Sequence, residues 1–300
     1  MKYRKLGSTG LLVSEIGLGC EGFAEDECRN TKRLLDEAES QGINYFDLYA
    51  SDPKVRASVG EALRGRREKF MIQSHVCSVW KDGQYKRTRN IDEVKAGMEE
   101  MLSLLQTDYI DVGMIHYVDS VKDWHTVADG PVLAYVKELK EKGVIRHIGL
   151  SSHNPEVALE AVKSGDIEVL MFSVNPCYDL QPASEDVEEL WAEKNYKEHL
   201  INMNPERQEL YETCQRLDIG ITVMKAFGGG DLLDEKLSPA GKALTVNQCI
   251  HYALTRPGVS TVLAGGRSVE QLRQSTAYEA VSEEGGEYAR AFASFLNISW

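Results

Sequence analysis

Eight times along 300 residues, a short apolar run rich in β-branched and aromatic side chains gives way to a stretch of helical periodicity. The runs predict strands at 15–19, 45–48, 70–74, 109–115, 145–150, 169–174, 221–224 and 261–264, and helices near 25–41, 54–64, 90–106, 131–142, 154–164, 205–218, 245–256 and 268–280. Asn154-Pro155 and Asn204-Pro205 mark two helix starts, an N-cap followed by a proline whose missing N–H is no loss at the first helical position. Gly42, Gly143, Gly165 and Gly220 follow helical stretches, where glycine takes a left-handed C-cap most easily. The strand runs are continuously apolar, as strands covered on both faces are. Eight such units close as an α/β fold, a (β/α)8 TIM barrel. A doubly wound sheet is the alternative, but its phosphate-binding fingerprint is missing. Gly17 and Gly19 run into Cys20-Glu21-Gly22 with no matching helix start, and Gly228-Gly229-Gly230 follows strand seven.

Ahead of the first strand, Tyr3-Arg4-Lys5-Leu6 and Leu11-Leu12-Val13 flank Gly7-Ser8-Thr9-Gly10, the pattern of a β-hairpin that would plug one end of the barrel. The polar stretch 175–204 predicts one large loop overhanging strand six. No linker or repeat interrupts the chain, so one domain is expected over 1–300. Lys and Arg number 34 against 47 Asp and Glu, and 34 − 47 gives −13. Such a charge argues against nucleic acid as a partner, because it removes the electrostatic attraction to phosphates. No stretch approaches the roughly 20 apolar residues of a membrane span, and the first residues have no apolar signal-peptide core. Six scattered cysteines without a Cys-x-x-Cys pair suit reduced thiols in a cytoplasm.

In barrels of this kind the site lies at the C-terminal strand ends. Those ends carry Cys20-Glu21, Asp47 with Tyr49, His75, His116, Ser151-Ser152-His153, Asn175, Lys225 and Gly265-Gly266-Arg267. Asp47 suits a helix cap as well as a site. One histidine at a strand end is ordinarily structural, and two on neighbouring strands favour function. Lys225 is costly to bury without an anion. Glycines 228–230 fit a plain turn or a phosphate cradle equally. The basic runs 64–67 and 86–89 are expected on solvated surface.

These pieces together resemble the aldo-keto reductases over essentially the whole chain. The resemblance is carried by Leu6-Gly7-Ser8-Thr9-Gly10-Leu11-Leu12-Val13-Ser14 leading to Gly17-Leu18-Gly19, by Gly42-Ile43-Asn44-Tyr45-Phe46-Asp47 and by Gly60-Glu61-Ala62-Leu63. It continues through Thr107-Asp108-Tyr109-Ile110-Asp111 to Ile115-His116, Gly143-Val144-Ile145-Arg146-His147-Ile148-Gly149-Leu150-Ser151, Met224-Lys225-Ala226-Phe227-Gly228-Gly229-Gly230 and the loop 264–268. It implies a (β/α)8 barrel that passes hydride between a nicotinamide and a small-molecule carbonyl or alcohol, using Asp, Tyr, Lys and His. Asp47 matches the aspartate and His116 the histidine. The tyrosine position is Asp52, followed by Pro53, and the lysine position is His75. Some acid must still protonate the alkoxide that hydride delivery leaves. His116, His75 and Tyr49 are the candidates, since imidazole titrates near pH 6.5; the expectation is that His116 or Tyr49 donates while Asp47 orients.

The resemblance also assigns a cofactor pocket for NADP, with NAD as the alternative. It comprises Cys20, Asp47, Ser151, Ser152, Asn175, Met224, Lys225, Ala226, Phe227, Gly228, Gly230, Gly265, Arg267, Gln271 and Ser275. Ser151-Ser152 replaces a Ser-Asn pair, Met171 a glutamine, and Met224 an aromatic that stacks on nicotinamide; one arginine, Arg267, favours NADP only mildly. The likeness is nearest to a branch whose members continue from a segment like Asn297-Ile298-Ser299-Trp300 into a ferredoxin-like iron–sulfur tail. It implies an electron-transfer partner if such a tail exists, and no iron–sulfur ligands lie within this chain. Two further readings stand beside it. Asp47, His75 and His116, with Glu21 and His153 nearby, form a two-histidine, one-carboxylate set of the kind that binds Fe(II), Zn or Mn. A regulatory protein that holds NADPH without turning it over is the other. The rim is expected to include Trp80, Tyr117, Trp124, Tyr178 and Trp191.

Overall fold

Strand runs that are apolar on both faces have to be covered on both, and the chain does this by closing the sheet. A computed structural model describes residues 1–24, 27–180, 184–186, 203–281 and 283–295. A hairpin, β1 (Tyr3–Lys5) and β2 (Leu12–Ser14), precedes the barrel strands β3 (Ile16–Leu18), β4 (Tyr45–Leu48) and β5 (Met71–Val76). A second hairpin, β6 (Ser78–Lys81) and β7 (Gln84–Arg87), lies outside the barrel. Then come β8 (Ile110–Ile115), β9 (Ile145–Ser152), β10 (Val169–Ser173), β11 (Gly220–Met224) and β12 (Val259–Ala264). The closed barrel runs β3-β4-β5-β8-β9-β10-β11-β12 and back to β3, every pairing parallel. The expected eight strands and the (β/α)8 closure are present.

The covering helices are α1 (Glu27–Ser40), α2 (Pro53–Ala62), α3 (Ile91–Leu105), α4 (Val121–Ala128), α5 (Pro131–Glu141), α6 (Pro155–Lys163), α7 (Pro205–Arg216), α8 (Val246–Leu254) and α9 (Val269–Thr276). Asn154 and Asn204 cap α6 and α7 ahead of proline, accepting from the amides of Glu156 and Glu206. The sequence reading missed α4 and the β6–β7 hairpin. Gly42, Gly143 and Gly165 take positive φ as expected, but Gly220 does not; Asp218 supplies the left-handed turn there. Gly220 is small for another reason: a Cβ on it would meet the N-terminal hairpin, 2.6 Å from Leu6 Cδ1.

That contact seats the hairpin on the barrel floor. Leu6 and Val13 are fully buried among the interior residues Tyr45, Val112, Met114, Val169 and Leu263, so the N-terminal end is plugged with side chains and the opposite end is left open. Among the described residues no helix is long and apolar enough to cross a membrane. Most of the 175–204 insertion, with Trp191, and the last residues 296–300 lie outside the described residues.

Candidate active site

Side chains two apart on a strand share a face, and this periodicity assembles the open end. Tyr45 and Asp47 point inward from β4, Gln73 and His75 from β5, with Asp47 registered against Gln73. Gln73 is fully buried and ties the layers together. Its Oε1 accepts from the hydroxyls of Tyr45 at 2.7 Å and Thr222 at 2.9 Å, while its Nε2 donates to Asp47 Oδ1 at 2.7 Å. Asp47 is thereby aimed by a polar layer beneath it. Above that layer, His75 Nε2 lies 2.9 Å from Asp47 Oδ1 and His75 Nδ1 lies 2.6 Å from His116 Nδ1. His116 Nε2 in turn meets the Tyr85 hydroxyl at 2.9 Å.

A cavity of about 590 Å³ opens over this chain. Of the residues named from the sequence, Asp47, Tyr49, His75, His116, Ser151, Met224, Lys225, Ala226, Phe227, Gly230, Gly265, Arg267, Gln271 and Ser275 line it. Cys20, Ser152, Asn175 and Gly228 do not. Cys20 is buried behind the wall. Ser152 is turned away to Asp119, and Asn175 holds its own loop, donating to the Lys225 carbonyl and accepting from the amides of Cys177 and Tyr178. Tyr117 reaches the cavity as expected, whereas Trp124 of α4 and Tyr178 are buried and, like Trp80, do not line the cavity.

Other expectations are also corrected. Lys225 is exposed, so it bears no burial cost. The basic runs are not simply solvated: Arg67 pairs with buried Asp111 and Arg89 with Asp123, each arginine side chain only 14% exposed. The metal reading required Asp47, His75 and His116 to turn donor atoms toward one point. They are instead strung in line, each histidine using both ring nitrogens on neighbours, and no group of three such side chains among the described residues is arranged to hold a metal ion.

His116 or Tyr49 was expected to donate the proton, with Asp47 orienting. Burial, then the charges of His75, Arg89, Arg87 and His153, hold His116 well below the usual imidazole range, so the resting ring is neutral. Tyr49 lines the cavity and is 41% exposed; burial and the nearby Cys20, Glu21 and Asp47 push its phenol up. Asp52, in the tyrosine position of the resemblance, caps α2 by accepting from the Lys54 amide at 2.8 Å. A second acid–imidazole couple went unread in the sequence: Asp119 Oδ2 meets His153 Nδ1 at 2.9 Å and Oδ1 accepts from the His153 amide at 2.7 Å. Burial would raise the Asp119 carboxyl, but these bonds and that from Ser152 bring it down, and His153 faces the same cavity.

The opposite wall suits an elongated anion. Lys225, Gly228, Gly229 and Gly230 all have positive φ, and a Cβ on Gly229 or Gly230 would touch nothing within 4 Å. These glycines are therefore required by the backbone and not by packing. Within this turn the Gly228 amide donates to the Lys225 carbonyl at 2.8 Å and the Gly230 amide to the Phe227 carbonyl at 2.9 Å, so what the turn offers the cavity is a surface bare of side chains at Gly229 and Gly230. Lys225 and Arg267 add positive charge, and Gln271 and Ser275 add polar groups. This donor set fits the phosphates of a dinucleotide.

The site is thus a cavity at the C-terminal strand ends of a closed parallel barrel, with charged and polar groups set in a largely apolar wall. The profile of the Aldo/keto reductase family matches residues 15–246, and the chain belongs to that family. Uncharacterized oxidoreductase YqkF of Bacillus subtilis is 31% identical over 290 residues, covering 92% of this chain and 90% of that protein. Aldo-keto reductase YhdN of the same organism is 25% identical over 320 residues, covering 94% and 88%. In structure, the holo form of aldo-keto reductase AKR11C1 from Bacillus halodurans superposes with a TM-score of 0.78 at 24% identity, covering 100% of this chain and 97% of that one; this last likeness speaks for the fold.

Proposed function

We propose that this chain is a single-domain, cytoplasmic, NAD(P)H-dependent oxidoreductase acting on a small carbonyl, alcohol or related molecule, with proton transfer rebuilt around imidazole. The observation that carries the reading is the hydrogen-bonded line Asp47–His75–His116, set in the cavity wall across the barrel from Lys225 and the glycine turn that follows it. When bound, a nicotinamide dinucleotide supplies or takes up hydride.

Everything else falls to the protein. Lys225 and Arg267 hold phosphate over the side-chain-free turn at Gly229 and Gly230, and Gln271 and Ser275 lie beside Arg267. Met171, Met224 and Phe227 present soft apolar surface where a flat ring can pack. Reduction consumes a proton and oxidation releases one, and the line of Asp47, His75 and His116 holds it. The tyrosine–lysine pair of the family lowers a phenol's pKa; here the corresponding positions are a helix cap and an imidazole, so the phenol's work passes to the histidines. Arg267, which lines the cavity, favours NADP mildly over NAD.

The reading is tested by titrating the protein with NADPH and NADH and following NADPH oxidation with 4-nitrobenzaldehyde as probe carbonyl. Binding with turnover supports it. Tight binding without turnover of any carbonyl would turn it toward a regulatory NADPH-binding protein.

A further inference from the structure

Asp47 and His75 line the cavity but are only 1% and 2% exposed, and their hydrogen bonds offer a proton a route to the carboxylate besides the cavity itself. The polarity of the hydrogen bonds fixes a route. The Gln73 amide nitrogen can only donate, so Asp47 Oδ1 is an acceptor. The same oxygen accepts from His75 Nε2–H at 2.9 Å. In a neutral imidazole the other nitrogen is then bare, so His75 Nδ1 accepts from His116 Nδ1–H at 2.6 Å. His116 Nε2 is bare in turn and accepts from the Tyr85 hydroxyl at 2.9 Å. Tyr85 is 49% exposed. Three donors therefore point one way, from the solvent edge to the buried carboxylate.

The tyrosine is held there by its own hairpin. Tyr85 pairs with Trp80 across β6 and β7. Three residues of this segment converge on Glu93 of α3: Lys81 Nζ at 2.6 Å, Lys86 Nζ at 2.7 Å and Thr88 Oγ1 at 2.6 Å. The hairpin thus clamps an aromatic hydroxyl over His116 from outside the barrel.

We propose that Tyr85 is the solvent-side end of a proton wire, Tyr85 to His116 to His75 to Asp47, that charges and discharges the buried carboxylate. In the inward step a proton from water or a buffer acid binds the Tyr85 oxygen as the tyrosine's own proton passes to His116 Nε2. The His116 Nδ1 proton moves to His75 Nδ1, and the His75 Nε2 proton forms an O–H bond on Asp47. One proton enters, one arrives, and no electrons move. Release runs the same bonds backward. Tyr85 acts through His116 and is a positioning residue. The purpose of the wire rests on the oxidoreductase reading, whereas its existence does not.

The test is nitrogen-15 histidine NMR on the whole chain at pH 8, without cofactor or substrate. The expected spectrum shows His116 protonated on Nδ1 and His75 on Nε2, and Tyr85→Phe moves the His116 Nε2 resonance toward that of an unbonded lone pair. Exchange of the His75 Nε2 proton with water then slows at least tenfold in Tyr85→Phe. Glu93→Ala, which keeps the hydroxyl and loosens the clamp, slows it less and serves if the first variant folds poorly. His116 protonated on Nε2 in the wild type, or exchange unchanged or faster in both variants, would overturn the proposal. A purely structural hydroxyl gives the faster exchange, since removing it admits water. Failure of NADPH to bind would leave these results standing and would fall on the oxidoreductase reading alone.

Discussion

The imidazoles of His75 and His116 meet nitrogen to nitrogen, Nδ1 to Nδ1 at 2.6 Å, with ring centroids 4.7 Å apart and planes crossed at 76°. Only one proton fits between them. Each is fixed at its far nitrogen, His75 by Asp47 and His116 by Tyr85. A lysine in place of His75 has no acceptor and cannot pass a proton along such a line.

Breaking this line removes a proton-transfer group, which contributes about 10²–10⁴-fold to a rate. His75→Ala and His116→Ala are each expected to lower kcat for NADPH-dependent reduction of 4-nitrobenzaldehyde by that order. The dissociation constant for NADPH, read by fluorescence quenching, stays unchanged, because Lys225 and the glycine turn lie on the other wall.

Stability falls with acid in two separate windows. The folded pKa of His116 lies below the ordinary 6.5, so the unfolded chain takes up the extra proton first; its contribution is intact above about 6.5 and lost as the pH drops further. The groups facing it are His75, Tyr85, Arg87, Arg89, Tyr117 and His153. Glu168 behaves in the depressed-carboxylate sense. Burial would raise it, but hydrogen bonds from His147, Lys140 and the Ile148 amide bring it from 4.5 down to about 2. Its contribution is intact above 4.5 and lost as the pH falls toward 2. In melting temperature against pH, His116→Ala shrinks the upper step and Glu168→Gln shrinks the lower one, to which Asp119 and other depressed carboxylates also contribute.

Arg207 and Asp179 form a fully buried pair apart from the Asp47–His75–His116 line. Arg207 Nη1 lies 3.3 Å from Asp179 Oδ1 and donates to the Ser173 carbonyl at 3.0 Å, and Asp179 also accepts from the hydroxyls of Tyr211 and Tyr252. Removing one partner leaves the other charge buried alone. Arg207→Met is expected to cost about 3–5 kcal/mol in urea unfolding.

Gly60 lets α2 lie against the end of α3. A Cβ there would stand 2.2 Å from the Leu104 carbonyl oxygen and 2.9 Å from the Leu105 backbone. Backbone cannot rotate aside as a side chain does, so Gly60→Ala is expected to lower stability by about 1–3 kcal/mol through overpacking, read from the urea midpoint.

The barrel was legible because its signals are local. Continuous apolar runs, Asn-Pro starts and glycine stops each act over a few residues, and α6 and α7 begin where Asn154 and Asn204 said they would. Asp47, His75 and His116 were legible as strand ends. Their bonds were not, since ring orientation is set by Gln73 and Tyr85, from inside the barrel and outside it. Gln73 did leave a trace, a polar residue two before His75 in an apolar strand and so on its face. The β6–β7 hairpin left one too: Asp82-Gly83, both at positive φ, is a strong turn signal between short β-rich runs. That Tyr85 then reaches His116, 31 positions on, depends on where Glu93 clamps the hairpin. Ser152 and Asn175 look like site residues in sequence and turn out to brace loops.

Calorimetric titration of the metal-stripped protein with NADPH and then NADH bears most directly on the account. It predicts saturable binding of NADPH, a weaker response to NADH, and a loss of that preference in Arg267→Ala. Absence of binding by either dinucleotide would contradict the oxidoreductase reading of this cavity.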